Sequence, residues 1–335
     1  MTEINPLNYF QKNKPLSSQN NILGNYRLIS QLGSGTYGHV YLAKNQEEKK
    51  IAVKIADPDL YAKYPKYLRK EYQVGRKISQ SCISTPVYIS SEDQILPASE
   101  LIPKPWWGKN TLIIELEYLE GYSLSKYLKR KKGLNPHELW NLLEWLTATV
   151  KCLHFHRFVH GDLHLENIFF TNKGYYLIDF GASCRLSKKR GVQTKKLINC
   201  RMTNLQSPDY YTLPILRDRR FQQKLSKSSK INYLPEDEKD YFRMNDLYSI
   251  FIISLSAVQP HLFRSQYCDI LDATPEDIEK IVQDYRRTYN NELSSGLINL
   301  IVDYFTQLQF KTDEDMPELS IDTFYEQLKL LKKFD

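Results

Sequence analysis

The sequence predicts an α+β fold in two parts, an antiparallel sheet with one main helix followed by a mainly helical part, and three observations carry that expectation. First, 335 residues with 41% hydrophobic and 25% charged side chains can bury a core of two-domain size and are unlike a disordered chain. Second, strand-like segments at 26–32, 40–43 and 50–56, separated by glycine or charge clusters, form an antiparallel meander early in the chain. Third, helical spacing dominates after Gly121, and the stretch 246–258 (DLYSIFIISLSAV) is apolar on nearly every face, as a helix buried all round must be.

Taken in order, residues 1–24 are rich in Asn, Gln, Ser and Lys and read as a flexible tail. The sheet part is expected over 25–119 and the helical part over 120–335. After the three strands, 67–79 places Leu68, Tyr72 and Ile78 at near-helical spacing. Two more strands are expected at 87–90 and 111–119, with a long loop or insertion at 92–110 that carries Trp106 and Trp107. That tryptophan pair is either an exposed partner anchor or, by preference, folded onto its own domain. Helices follow at 123–132 and then from Pro136, whose ring suits a first turn, through Leu139, Leu142, Leu143, Leu146, Val150 and Leu153. Strands at 168–171 and 175–178 flank the turn 172–174 as a hairpin.

No apolar run is long enough to span a bilayer, and the N-terminus lacks the apolar stretch of a cleaved secretory signal. Thr2 stands where myristoylation needs glycine. The five cysteines are odd in number, far apart and without a CxxC pair, so neither a disulfide framework nor a zinc ribbon is expected, and a reducing compartment fits. The net charge of +7 conceals an asymmetry: thirteen Lys or Arg stand against two Asp between Arg185 and Lys230. Such a run attracts an acidic partner or polyanion, or it is a solvated loop.

Gly33, Gly35 and Gly38 form a GxGxxGxV turn ending in Val40. A dinucleotide fingerprint requires a helix directly after the glycines, whereas a strand follows here, so the turn reads as a flap over nucleotide phosphates. Ala52-Val53-Lys54 lies on the next strand and Glu71 on the following helix, where a carboxylate can hold an ammonium against phosphate oxygens. Asp162 and Asn167 in HGDLHLEN, with Asp179 in DFG after one hairpin, supply a proton acceptor and two oxygen ligands suited to magnesium. The order and context of these motifs, from about residue 26 to the end of the helix beginning at Asp246, resemble the eukaryotic-like protein kinase family.

That resemblance implies a bilobal protein-kinase-like fold with ATP and Mg2+ in the cleft between N-lobe and C-lobe. It implies that Gly33, Gly35 and Gly38 cover the phosphates and that Val40 and Ala52 sandwich adenine, with Phe169 as its floor. Lys54, paired with Glu71, would contact the α and β phosphates. Leu116, Glu117, Tyr118 and Leu119 resemble the gatekeeper and hinge. Asp162 would accept or orient the substrate hydroxyl proton, Asn167 and Asp179 would hold magnesium, and Asp246 resembles the buried anchor of the catalytic loop. Two residues depart from the pattern: Gly161 replaces the arginine that clamps a phosphorylated activation segment, and His164 replaces the lysine of typical serine/threonine kinases. His164 would donate one hydrogen bond to the transferring phosphate. Ser207-Pro208-Asp209 replaces Ala-Pro-Glu, and the basic run covers this segment, where substrate would dock. Of the histidines His154, His156, His160 and His164, the resemblance employs all but His156, and their spacing does not favour zinc.

The expected function is ATP- and Mg2+-dependent transfer of the γ-phosphate to Ser or Thr of a protein, with the basic segment 185–230 binding an acidic substrate or a polyanionic activator. The alternatives are a small-molecule or lipid kinase, suggested by Gly161 and His164, a nucleotide-binding pseudokinase scaffold, or nucleotidyl transfer. No sequence-specific nucleic-acid binding is expected. The expected location is the cytoplasm, or a host cell's cytosol for a bacterial effector, since the Lys, Asn, Ile and Tyr richness suggests an AT-rich genome.

Overall fold

The structure, a computed structural model, describes residues 21–186 apart from Thr36 and Lys132, together with residue 283 and the stretches 236–258, 292–308 and 317–332. The chain divides into two compact units, one made of the residues up to Tyr72 and Val87–Leu119, the other of Gln73–Pro86 and the chain from Glu120. The family fold class expected from the motifs, α+β with an antiparallel sheet and helices, is the one observed.

The first unit is a six-stranded antiparallel sheet in the order β1 (Ile22–Leu23), β2 (Tyr26–Gly35), β3 (Gly38–Lys44), β4 (Lys50–Ala56), β6 (Asn110–Glu117) and β5 (Tyr88–Ile95). Alternation along β2 and β3 puts Tyr26, Leu28, Tyr41 and Ala43 into one apolar cluster with Val53, Ile55 and Ile113. Helix α1 (Pro58–Lys63) begins where the Asp57 carboxylate accepts from the Asp59 and Leu60 amides. Helix α2 (Pro65–Ser81) follows it and carries Glu71.

Two expectations change here. Within the expected tail, Ile22–Leu23 is a strand, and the Leu23 side chain is buried in the cluster; residues 1–20 lie outside the described ones. Strand β5 runs to Ile95 rather than ending at 90, because it is the sheet edge and its polar Ser-Glu-Asp-Gln stretch faces solvent in part. The remaining insertion folds back on the sheet: Trp106 is buried in the cluster with its ring 4.6 Å from His39, and Tyr41 donates to the Leu101 carbonyl. Trp107 is partly exposed and donates its indole N–H to the Ile102 carbonyl.

In the second unit, α3 (Leu124–Lys131) and α4 (Pro136–Phe155) follow β7 (Gly121–Ser123). Helix α4 starts with a reciprocal cap, Asn135 accepting from the Glu138 amide and Glu138 accepting from the Asn135 amide, with proline at its first position. The buried helix expected at 246–258 is the C-terminal half of α5 (Glu236–Val258). Its serines are tolerated because Ser249, Ser254 and Ser256 each return a hydroxyl proton to the carbonyl one turn back. Aromatic contacts of Tyr248 with Phe305 and of Phe251 with Tyr304 and Phe324 join it to α6 (Glu292–Gln307) and α7 (Ile321–Lys332). The hairpin β9 (Ile168–Thr171) and β10 (Gly174–Leu177) pairs with β7, and β8 (Phe158–Val159) pairs with β11 (Cys184–Arg185).

The cysteine expectation is overturned. Cys82, just past α2, is disulfide-bonded to Cys152 on α4 across 70 residues of sequence, with Cα atoms 5.9 Å apart, and Cys184 is disulfide-bonded as well. Wide spacing conceals such a pair because only the packing of two helix ends brings it together. The argument for a reducing compartment therefore falls. Among the described residues no helix is long and apolar enough to cross a membrane. Beyond Leu186 the basic run 185–230 and the Ser207-Pro208-Asp209 motif lie outside the described residues.

Candidate active site

In the first unit, the glycine turn joins β2 to β3, and its three glycines are glycine for different reasons. Gly38 has φ +148°, and a Cβ there would lie 2.1 Å from the Ile55 carbonyl oxygen, so the sheet itself demands glycine. A Cβ at Gly33 or Gly35 would meet nothing within 4 Å. Nothing in the unit's own packing at those two positions calls for glycine. What they provide is an exposed backbone without side chains.

Register places Lys54 opposite Val40 on one side and Ile114 on the other, and Ala52 opposite Leu42 and Leu116. The Lys54 ammonium lies 2.7 and 2.8 Å from the two carboxylate oxygens of Glu71. Both side chains are largely buried, and a pair of this kind is costly to break from one side because the remaining charge loses its partner. At the end of β6, Glu117 donates its amide to the Val87 carbonyl and receives the Val87 amide on its carboxylate. Leu116, Glu117, Tyr118 and Leu119 are all half-buried.

In the second unit, Asp246 on α5 organises the loop that follows β8. Its carboxylate is fully buried and accepts from the His160 amide (2.8 Å) and the Gly161 amide (3.0 Å), with His154 Nε2 at 3.0 Å. The backbone at Gly161 has φ +77°, the left-handed region, which gives a physical reason for glycine where the family commonly has arginine. His160 stacks edge-to-face on Phe180, its Nδ1 accepts from the Asp162 amide, and Nε2 faces the Ile178 carbonyl at 3.3 Å. Burial lowers its pKa, against the opposing pull of Asp246, which favours the neutral ring, and acceptance at Nδ1 from the Asp162 amide leaves the ring proton on Nε2.

Past that anchor, Asn167 donates to the Asp162 carbonyl at 2.8 Å, tying the two ends of the loop together. His164 Nε2 lies 3.0 Å from Asn167 Nδ2 and 3.6 Å from Asp162 Oδ1. The ring that sequence reasoning aimed at a phosphate thus sits among the side chains of its own loop. The Ile178 amide donates to the Asn167 carbonyl, continuing the Ile168–Leu177 register to the residue before Asp179. Asp179 has φ +61° and accepts from the Gly181 amide. Phe169 is half-buried on β9, opposite Ser123 and Tyr176.

The donor set suits a hard cation. Asn167 and Asp179 offer oxygens, and Asp162 Oδ1 is a buried carboxylate oxygen with no hydrogen-bond partner among the described residues. The sequence-selected residues thus fall into two groups: Gly33, Gly35, Gly38, Val40, Ala52, Lys54, Glu71, Leu116, Glu117 and Leu119 in the first unit, and Asp162, His164, Asn167, Phe169 and Asp179 in the second. His154, which the resemblance employs, meets the anchoring carboxylate through its Nε2, a contact that the motif spacing does not specify.

A family model described as protein kinase domain matches residues 26–225. The chain is 29% identical over 159 residues to the zebrafish (Danio rerio) inhibitor of nuclear factor kappa-B kinase subunit alpha, covering 46% of this chain and 20% of that protein. It is 26% identical over 182 residues to the serine/threonine-protein kinase PrkC of Bacillus subtilis, covering 53% and 26%. It is 28% identical over 165 residues to the serine/threonine-protein kinase KIN4 of Saccharomyces cerevisiae, covering 47% and 19%. The matched region thus spans about a fifth to a quarter of the length of these relatives.

Proposed function

The chain belongs to the protein kinase domain family, and on that premise we propose that it transfers the γ-phosphate of ATP to serine or threonine side chains of a protein. The observation that carries the reading is Asp162 Oδ1, a buried oxygen with no hydrogen-bond partner among the described residues, in a loop anchored by Asp246. A carboxylate oxygen with no hydrogen-bond donor on it has a lone pair open to a substrate hydroxyl.

On this reading 25–119 is the N-lobe and 120–335 the C-lobe. Gly33 and Gly35 let the backbone approach phosphates closely, which their open Cβ positions support. Lys54, held by Glu71, neutralises the α and β phosphates. Val40, Ala52 and Phe169 enclose adenine, with Leu116, Glu117 and Leu119 as gatekeeper and hinge. Asp162 orients the acceptor hydroxyl and takes its proton, and His164 and Asn167 hold that carboxylate's loop in shape. Asn167 and Asp179 would hold Mg2+, which when bound supplies positive charge to the phosphate oxygens. The basic segment 185–230 recruits an acidic substrate or polyanionic activator, by its charge alone.

The test is label transfer from ATP carrying the label on the γ or the α phosphate, with Mg2+, on a mixture of acidic and basic proteins, with a polyanion in half the reactions. Wild type should label protein from the γ position only, and Asp162→Asn should abolish it. Transfer from the α position would instead indicate nucleotidyl transfer. Nucleotide binding with labelled small molecules or lipid and no labelled protein would point to those substrates, which Gly161 and His164 suggest.

A further inference from the structure

His156 is the one member of the histidine group to which the kinase reading gives no part, and the structure places it beside the Cys82–Cys152 pair. A ring nitrogen of His156 and the two sulfurs all lie within 4.8 Å of one another. A disulfide needs no third residue, so this convergence calls for a reason of its own. We propose that, once reduced, Cys82, Cys152 and His156 form a zinc site, so that the disulfide and the metal are alternative cross-links between the end of α2 and the end of α4. The proposal does not depend on the kinase reading.

The three residues stand on well-supported backbone. The Cys82 amide donates to the Ile78 carbonyl, continuing the α2 hydrogen-bond pattern, and the Thr85 hydroxyl donates to the Cys82 carbonyl. His156 caps α4, with its amide donating to the Cys152 carbonyl. Cys152 and His156 are therefore a helical turn apart, at the i,i+4 spacing that puts two side chains on one face. Thiolate and imidazole are the ligands zinc prefers. Three protein ligands leave a fourth tetrahedral position for water, and Cys152 and His156 are each partly exposed, so reductant and ion can enter.

The geometric change is small. A disulfide holds its sulfurs about 2 Å apart, and two thiolates on a tetrahedral zinc stand roughly 3.8 Å apart. With Cα atoms 5.9 Å apart, rotation about the Cα–Cβ bonds can supply that opening without moving either helix. In the first step a phosphine reductant and water convert the disulfide to two thiols and a phosphine oxide. In the second, Zn2+ displaces two thiol protons to the solvent, and the neutral His156 nitrogen donates its lone pair.

The test is zinc binding to the full chain, with zinc alone as the probe, by competition with a chromogenic chelator before and after phosphine reduction and without reoxidation. The reduced wild type should bind one zinc that the oxidised protein does not, and Cys82→Ser should lose it. His156→Asn, at a partly exposed position where folding is not at stake, should weaken that zinc by at least about tenfold. Reduction also frees Cys184, so zinc bound equally by wild type and both variants would place the ion elsewhere and overturn the proposal. So would a reduced wild type that binds none, or one whose affinity is unchanged by His156→Asn.

Discussion

Replacing Asp246 by asparagine should unlock the loop that follows β8 without emptying its core. The buried carboxylate accepts from the His160 and Gly161 amides and faces His154 Nε2, all within 3.0 Å. An amide of the same shape has one accepting oxygen. In its better orientation that oxygen stays with His160 and His154, while its NH2 group faces the Gly161 amide, donor against donor. One hydrogen bond to a charged acceptor is lost, at about 1.5–3 kcal/mol, and the other two weaken towards neutral strength, at roughly 0.5–1 kcal/mol each. The sum lies between about 2.5 and about 5 kcal/mol of local opening free energy, centred on about 3–4 kcal/mol. Hydrogen exchange of a peptide covering residues 158–163 reads that directly, and its protection should fall by about a hundredfold to a thousandfold. A fall of less than roughly tenfold would refute the view that Asp246 holds the loop.

The two kinds of glycine in the β2–β3 turn should separate in one experiment. Gly38→Ala, forced against the Ile55 carbonyl, should lower thermal stability by about 2–4 kcal/mol, while Gly35→Ala should cost under about 1 kcal/mol yet weaken ATP binding; melting curves and nucleotide titrations decide. Glu71→Gln should lower kcat/KM for ATP by roughly a hundredfold through loss of Lys54 positioning, with the far-ultraviolet spectrum retained. His160 is buried neutral with its pKa lowered by burial, so the unfolded chain binds a proton that the folded chain refuses. Stability should therefore fall as pH drops below the unfolded value of about 6.5, by up to about 1.4 kcal/mol per pH unit until the folded pKa is reached. Denaturation across pH 5–8 should show that slope reduced in His160→Phe, and an unchanged slope would exclude His160 as its source.

Local pattern carried most of the first unit and the hairpin of the second. The strand at Lys50–Ala56, the hairpin around residues 172–174 and the buried C-terminal half of α5 were legible because their signals, alternation, turn residues and an all-round apolar face, lie within one element. Strand β5 was only half legible, since an edge strand need not alternate when one of its sides is wet. Trp106 and Trp107 are adjacent and chemically identical, and which of them enters the core depends on how the insertion folds back over Tyr41 and His39.

By itself the sequence determined the chemistry on offer: a glycine turn, a lysine and glutamate seventeen residues apart, and an Asp–Asn loop before a second Asp. These are short-range patterns, and residue type at fixed spacing suffices to state them. Tertiary structure alone decided which groups have partners. Asp246 meets His160 from 86 residues away and Cys82 meets Cys152 from 70, and those distances are bridged by packing rather than by pattern. A hydrogen bond or a disulfide needs atoms within a few ångströms, and sequence separation carries no information on that scale.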